Sequence, residues 1–436
     1  MNKQKVAVVG LGYVGLPLAV LAQEKGWEVH GLDNNKTKVA LINQGQSPID
    51  GEQIAQDLKR YPIIATDDPA IVAQVNVIVI AVPTPVTSNN LPDLQPLTRA
   101  LENILPHLTA GQVLIVESTI NPGVMDEVVM PLLRQRPDLP LEESATPEPL
   151  SVAHCPERIN PGDPVWTVRN IPRVLGGYTA SGARRAQAFY ESIIEAPIKL
   201  MASVTEAEAV KIMENTFRDV NIAFINEMAK SFAKLNVDII NVIAGAATKP
   251  FAFMPHYPGN GVGGHCISVD PYYMIERARQ VGFDHEFLKL ARQINDSMPA
   301  YTVELLQQGL QEIGLPLAQA TVALLGIAYK KDIADTRESP ALEILALLET
   351  KTQLRVFDPF VPAQSTVASL AEALQGANVV MLATNHSQFI TDLTPAALAA
   401  AGIKLVVDGK NALDADGIVA QGIPYIGIGR ARNPKK

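Results

Sequence analysis

Cysteine is scarce in this chain: 436 residues hold only Cys155 and Cys266. That excludes a disulfide framework and suits a reducing compartment. Long hydrophobic runs are missing as well. The mostly apolar stretch at residues 75–82 stops at a proline and is far shorter than the roughly 20 residues that span a bilayer. The opening residues, MNKQKVAVVG, enter a strand pattern directly, without the charged, apolar and small-residue order of a signal peptide, so a soluble cytoplasmic protein is expected. Charge is sparse at 19% and acidic in balance, with a net charge of −9. This disfavours bulk binding to nucleic acid or an anionic membrane but leaves room for a local basic pocket. No metal centre is expected. What the chain has in quantity is apolar side chains, 47% of residues, enough for two or three domains with large cores.

Residues 6–9 read as a short strand buried in a parallel sheet. Gly10-Leu-Gly12-Tyr-Val-Gly15 follows, then an Ala/Leu-rich helix and a second strand, 29–32, ending at Asp33. G-x-G-x-x-G between strand and helix, with an acid at the end of the next strand, is the pattern that brings a pyrophosphate against a helix N-terminus. Asp33 would accept a hydrogen bond from the adenosine ribose and repel a 2′-phosphate, which favours NAD over NADP. The cofactor set expected here is Gly10, Gly12, Tyr13, Val14, Gly15, Asp33 and Lys38. Two more strands end in polar loops. Residues 76–82 run into Pro83-Thr84-Pro85, and 113–116 into Glu117-Ser118-Thr119 and "NPG". Ligands of open parallel sheets bind beyond such strand ends, so Pro83, Thr84, Ser118 and Thr119 join the cofactor set. Ordinary loop chemistry would use the same residue types.

Residues 206–235 contain no Gly or Pro and predict one long helix. Lys211 and Asn215, four apart, share a face, though spacing alone fits a solvated pair. From Val220 on, the helix is apolar nearly all round, which predicts burial, here between subunits. Then comes "GNGVGGHCISVD", residues 259–270. Its glycines let backbone approach a ligand. Cys266 in this setting would be reachable and, beside a Lys or protonated His, nucleophilic. His265 can serve as a base or as a substrate hydrogen-bonder. Cys155, before Pro156-Glu157, reads as a packed small residue. A further helix is expected over 283–298.

The C-terminal third repeats the strand–Gly turn–helix–strand–Asp order, with strands at 321–325, 354–357, 379–383 and 405–407, but lacks G-x-G-x-x-G. Lys330, Lys331, Arg337 and Lys410 gather at its strand ends, which suits an anion such as a nucleotide diphosphate.

Taken in order, "VAVVGLGYVGLPLA", "AVPTP", "ESTINPG", "CPERINPG", "EAEAVKIMENTFRDVNIAFINE", "GVGGHCISVDPYY", "KKDIADTRESP" and "VVDGKN" resemble the UDP-glucose/GDP-mannose dehydrogenase family over nearly the whole length. The UDP-N-acetylhexosamine branch is the nearer match; "ENTFRDVNIAF" looks most like the enzymes of UDP-N-acetylmannosamine, while "VDPYY" is shared with those of UDP-N-acetylglucosamine and UDP-N-acetylgalactosamine, so the same chemistry on either of these or on UDP-glucose is the alternative. The resemblance implies two NAD-dependent hydride transfers that convert C6 of the sugar to a carboxylate. It implies Cys266 as the nucleophile that captures the aldehyde and Lys211 as oxyanion stabiliser and proton carrier. Asn215 and Thr119 would position substrate and water, Asp270 would hold that water or Lys211, and Glu157 would assist hydrolysis. Substrate contacts are expected from Glu157, Arg158, Lys211, Asn215, Gly263, His265, Lys330 and Arg337. The second Glu that UDP-glucose dehydrogenases place four residues after the first is absent, since Pro161 stands there. Lys410 occupies a position where many relatives have Arg, which leaves its role open.

The architecture this implies is α/β, with two Rossmann-like parallel-sheet domains joined by a long central helix. Residues 1–200 would bind NAD, 201–300 would form a helical dimerisation region with the cysteine loop, and 301–436 would bind the UDP-sugar. The expected assembly is a homodimer. Two readings of other classes fit single motifs: a two-electron hydroxyacid dehydrogenase that needs no cysteine, and a nucleotide-sugar-binding regulator without turnover.

Overall fold

The computed structural model describes residues 3–49, 51–87, 91–141, 148–159, 165–264 and 267–431. The chain divides into two compact units, Met1–Glu214 with Tyr272–Phe283, and Asn215–Pro271 with Asp284–Lys436.

The first unit is built on an eight-stranded sheet of β1 (Lys5–Val9), β2 (Glu28–Leu32), β3 (Ile64–Thr66), β4 (Val77–Ile80), β5 (Val113–Val116), β6 (Ser151–His154), β7 (Arg173–Gly177) and β8 (Ile198–Leu200), in the order β3-β2-β1-β4-β5-β6-β7-β8. Every pairing is parallel except β6 with β7, which is antiparallel. Alternation along a strand sends successive side chains to opposite faces. In β1, Val6 and Val8 enter one core with Leu16, Trp27 and Phe189, while Ala7 and Val9 enter the other with Ile78, Leu101 and Met125. Strands covered on both faces must be apolar throughout, hence the unbroken runs.

The second unit carries β9 (Thr321–Leu325), β10 (Gln353–Phe357), β11 (Val379–Leu382), β12 (Leu405–Asp408) and β13 (Tyr425–Gly427), all parallel, in the order β10-β9-β11-β12-β13. β9 splits its side chains in the same way, Val322 and Leu324 to one core and Ala323 and Leu325 to the other. The echo of the first unit extends to the strand-end acid: Asp358 accepts from the amides of Ile327 and Ala328, much as Asp33 accepts from Leu11. In the second unit, however, the ring of His386, buried at 0% exposure, lies 3.0 Å from the same Asp358 oxygen. That oxygen is therefore engaged from within the chain.

One helix, Val204–Lys234, is continuous across the point where the chain passes from the first unit to the second. Glu206 in its first turn and Lys234 in its last complement the helix dipole. It ends where Asn236 turns to φ 53° and the Val237 amide bonds back to Phe232, a left-handed stop that asparagine tolerates better than most residues. From Val220 on, the helix is not buried all round within this chain, since Phe224 is exposed; before that point Met213 and Phe217 are exposed on it as well. The helix expected over 283–298 is Glu286–Asp296, a separate helix, Met298–Glu312, begins where that span ends, and Asp270–Gln280 forms another. Strands β3, β6, β7, β8 and β13 are absent from the sequence reading. Three of them have only three residues, and β7 ends in two glycines, which weaken strand propensity. No helix among the described residues is long and apolar enough to cross a membrane.

Candidate active site

The glycine turn after β1 is shaped by what a side chain would hit. Gly10 sits at φ 92°, and a Cβ there would lie 2.6 Å from the Ala81 carbonyl oxygen; one on Gly15 would lie 1.9 Å from that of Gly10. A Cβ on Gly12 would meet nothing within 4 Å. The helix that begins here, Gly15–Glu24, has no side-chain cap, so its first amides remain available to an anion. By contrast, the next helix is capped by Asn35. Asp33 is buried. One of its oxygens accepts from the Leu11 amide and the other from the Asn35 amide, and Lys38 Nζ stands 3.9 Å from the first. Each carboxylate oxygen keeps a further lone pair for a ribose hydroxyl. Tyr13 is partly exposed beside this turn. These residues fit NAD: glycine where backbone must close up, open space where a pyrophosphate would come, an uncapped helix start and an acid at the next strand end. Gly12→Ala should therefore fold with an unchanged Tm yet raise KM for NAD by about tenfold or more, a loss on the order of 1.4 kcal/mol. An unchanged KM in steady-state assays would place the dinucleotide elsewhere.

The two polar strand-end loops are tied together. Thr84 Oγ1 donates to the Thr119 carbonyl at 2.6 Å and Ser118 Oγ to that of Val82 at 2.8 Å. The Tyr273 hydroxyl donates to the carbonyls of Thr84 and Pro85. Beneath them lies a buried ion pair not anticipated from sequence. Glu117 receives Arg173 Nη1 at 2.7 Å and the Tyr190 hydroxyl at 2.6 Å, with neither member of the pair exposed.

Glu157 follows the end of β6. Its amide donates to the Glu117 carbonyl, and its carboxylate accepts from the Ile159 amide. Burial pushes this carboxyl up to about 7, against the opposing pull of Lys211 and Arg173 and with Glu117 and Glu214 adding to the rise. Lys211 Nζ is 4.0 Å from Glu157 Oε2, and both side chains are about nine-tenths buried. Arg158 engages Glu214 and the Pro172 carbonyl. Three residues before Lys211, Glu208 is fully buried and accepts the amides of Gly123 and Met125 at 2.7 and 2.8 Å. It fixes the "NPG" turn that follows Thr119 to the helix that carries Lys211. Only its position in a mainly apolar helix hints at this in the sequence. Cys155 is fully buried, and burial pushes its thiol up to about 12, as a packed small residue requires.

In the second unit, Asn215 donates to Asp270 at 2.5 Å, both residues being buried. The glycine-rich segment meets the loop after β9. A Cβ on Gly263 would lie 2.7 Å from the Glu338 carbonyl oxygen and from Tyr329 Cβ, and the Gly264 amide donates to the Arg337 carbonyl. Gly263 is thus set against the segment that carries Lys330 and Arg337. The Arg337 guanidinium bonds Asp335. The Asn260 amide donates to the Gly409 carbonyl and its side chain to that of Ala383, which draws the ends of β11 and β12 to the same place. Burial pushes the half-buried Lys410 ammonium there down to about 8, with Asp408 opposing. His265 and Cys266 lie outside the described residues.

Three family descriptions match in succession: the NAD binding domain of the UDP-glucose/GDP-mannose dehydrogenase family at residues 4–194, its central domain at 205–297 and its UDP binding domain at 323–415. A UDP-N-acetyl-D-mannosamine dehydrogenase of Pyrococcus horikoshii is 34% identical over 98% of this chain and 99% of its own. A UDP-N-acetyl-D-glucosamine 6-dehydrogenase of Pseudomonas aeruginosa is 38% identical over 89% of this chain and 92% of its own. The solved structure of a UDP-D-ManNAc dehydrogenase from P. horikoshii superposes with a TM-score of 0.90 at 33% identity, covering 99% of this chain and 100% of that one.

Proposed function

The chain belongs to the UDP-glucose/GDP-mannose dehydrogenase family and is an NAD-dependent oxidoreductase of nucleotide sugars, and we propose that it oxidises C6 of UDP-N-acetyl-D-mannosamine to the carboxylate as a surface-polysaccharide precursor. The overall change takes a CH2OH group, two NAD and one water to a carboxylate, two NADH and three protons. NAD, when bound, supplies the hydride acceptor.

In the first oxidation, a group at Lys211 takes or relays the hydroxyl proton while hydride leaves C6. The resulting aldehyde carbon is trigonal and carries no hydride that can leave with a stabilised product. Addition of the Cys266 thiolate restores a tetrahedral carbon as a thiohemiacetal. Loss of a second hydride gives a thioester, and water releases the acid and regenerates the thiol. Lys211 stabilises the oxyanion of the tetrahedral species. Glu157 takes a proton from the attacking water, a task suited to a carboxyl held near neutrality. The observation that carries this reading is the Lys211–Glu157 pair, a buried cation 4.0 Å from a carboxyl raised to about 7. Asn215 and Asp270 orient substrate and water, and Thr119 contributes from the end of β5. Lys330 and Arg337, with Gly263, bind the diphosphate.

The manno epimer is favoured by the full-length similarity to enzymes of that sugar. The glucosamine relative supports a second reading, the same chemistry on UDP-N-acetylglucosamine. The exposed stripe Met213, Phe217 and Phe224 on the long helix supports a homodimer, which light scattering at micromolar concentration would refute by finding a monomer. The functional test is NADH formed per mole of limiting UDP-sugar. Two from the manno epimer and none from the gluco or galacto epimers is expected. Two from another sugar moves the substrate, and one or none from all removes the aldehyde-capture mechanism.

A further inference from the structure

The long helix carries a line of buried polar residues, of which the chemistry above uses only Asn215. Asn215, Asp219 and Asn226 are spaced four and seven apart, so they lie along one face. All are at most 7% exposed. A buried polar stripe costs stability unless each group is paired, and here the pairs run in a fixed sequence. Arg292 donates to Asp219 at 2.6 Å, and Asn295 donates to the same Asp219 oxygen at 2.8 Å and to the Asp219 carbonyl at 3.0 Å. Asn226 donates to the Asn295 side-chain oxygen at 2.9 Å. That leaves the Asn226 oxygen facing the Gly259 amide, which donates to it at 3.0 Å. Every amide in the series is oriented by the previous one, so the acceptor shown to Gly259 cannot flip without breaking the chain.

Gly259 opens the glycine-rich segment, and Asp270, held by Asn215, closes it. The two anchors are eleven residues apart on one helix, roughly 16 Å. A segment this rich in glycine loses much backbone entropy when it is fixed. Its described part, Gly259 to Gly264, is the stretch set against the Arg337 loop and the end of β12. We propose that Asn226 is a positioning residue, fixing the start of this segment on the long helix so that its backbone meets the nucleotide sugar in one conformation. The catalytic consequence rests on the function proposed above; the anchoring does not.

The test compares the full-length protein with Asn226→Ala and with Asn226→Gln, which keeps an amide oxygen for Gly259 and an NH2 group for Asn295. Hydrogen exchange is followed by mass spectrometry in peptides covering 255–264 and, as control, 321–325 of β9, beside kcat and KM for NAD. Asn226→Ala should speed exchange at 255–264 by about tenfold, leave the β9 peptide unchanged, and lower kcat by about tenfold with KM for NAD within about twofold. Asn226→Gln should return both exchange and kcat to within about threefold of the parent. Equal loss of protection in β9, an Asn226→Gln variant no better protected than Asn226→Ala, or unchanged kcat despite lost protection at 255–264 would each overturn the proposal. A parent protein that turns over no UDP-sugar would instead sink the functional reading, with the exchange result still standing.

Discussion

Replacing Cys266 with serine should cut steady-state NADH formation by on the order of 10⁴-fold, the scale seen when a catalytic nucleophile is removed. The reason lies in the second oxidation. The first needs only an alcohol, a proton acceptor and a hydride acceptor, so a single-turnover experiment on Cys266→Ser should still yield up to one NADH per site. The second needs a tetrahedral carbon, and a serine hydroxyl is a far weaker nucleophile than a thiolate at neutral pH. Cys155 cannot take over, because it is wholly buried and its thiol is pushed up to about 12. Two NADH per sugar at an undiminished rate from Cys266→Ser would mean that water hydrates the aldehyde directly. The nucleophilic role assigned to Cys266 would then be wrong.

What could be read from sequence divides by range. The NAD turn is local: Gly10, Gly12, Gly15 and Asp33 lie within 24 residues, and each conformational demand on them falls on a neighbour in the chain or on an adjacent strand. The strands of both central cores were visible because a strand buried on two faces must be apolar along its length. Strands such as β7 and β8, at the antiparallel side of the first sheet, carry no such run and gain their place from pairing. The unread site features are long-range. Glu208 binds amides 83 and 85 residues away, Glu117 binds Arg173 56 residues on, and Asn226 binds Gly259 33 residues on. In each case the residue type advertises a polar need, while its partner is set by packing. The exposed face of the long helix shows the converse. From Val220 on, an apolar surface nearly all round predicted burial between subunits, and within one chain Phe224 stays exposed, since such a pattern does not say which surface does the covering.

Lys211→Met should lower kcat by about 10²- to 10³-fold, the range for removing one donor from an oxyanion, with KM for NAD little changed. It should also move the pH profile in a stated direction. Burial raises the Glu157 carboxyl to about 7, and the Lys211 charge opposes that rise. Without the charge, Glu157 must titrate higher, so the pH at which it acts as a base moves up. Stability should follow the same sign. A carboxyl with a raised folded pKa stabilises the fold below its unfolded value, near 4.5, and that contribution is lost as pH rises through the folded value. The parent and Lys211→Met share the unfolded value, and the variant has the higher folded one. The variant's Tm relative to the parent should therefore fall as pH rises from about 5 to about 9. At the acid end Glu157 is neutral in both. At the alkaline end the parent keeps a buried ion pair and the variant holds a buried carboxylate alone, a costly arrangement. A Tm difference that stays flat across this range would show that the two groups are not coupled. With kcat reduced no more than about threefold, Lys211 would lose its place as the oxyanion's partner.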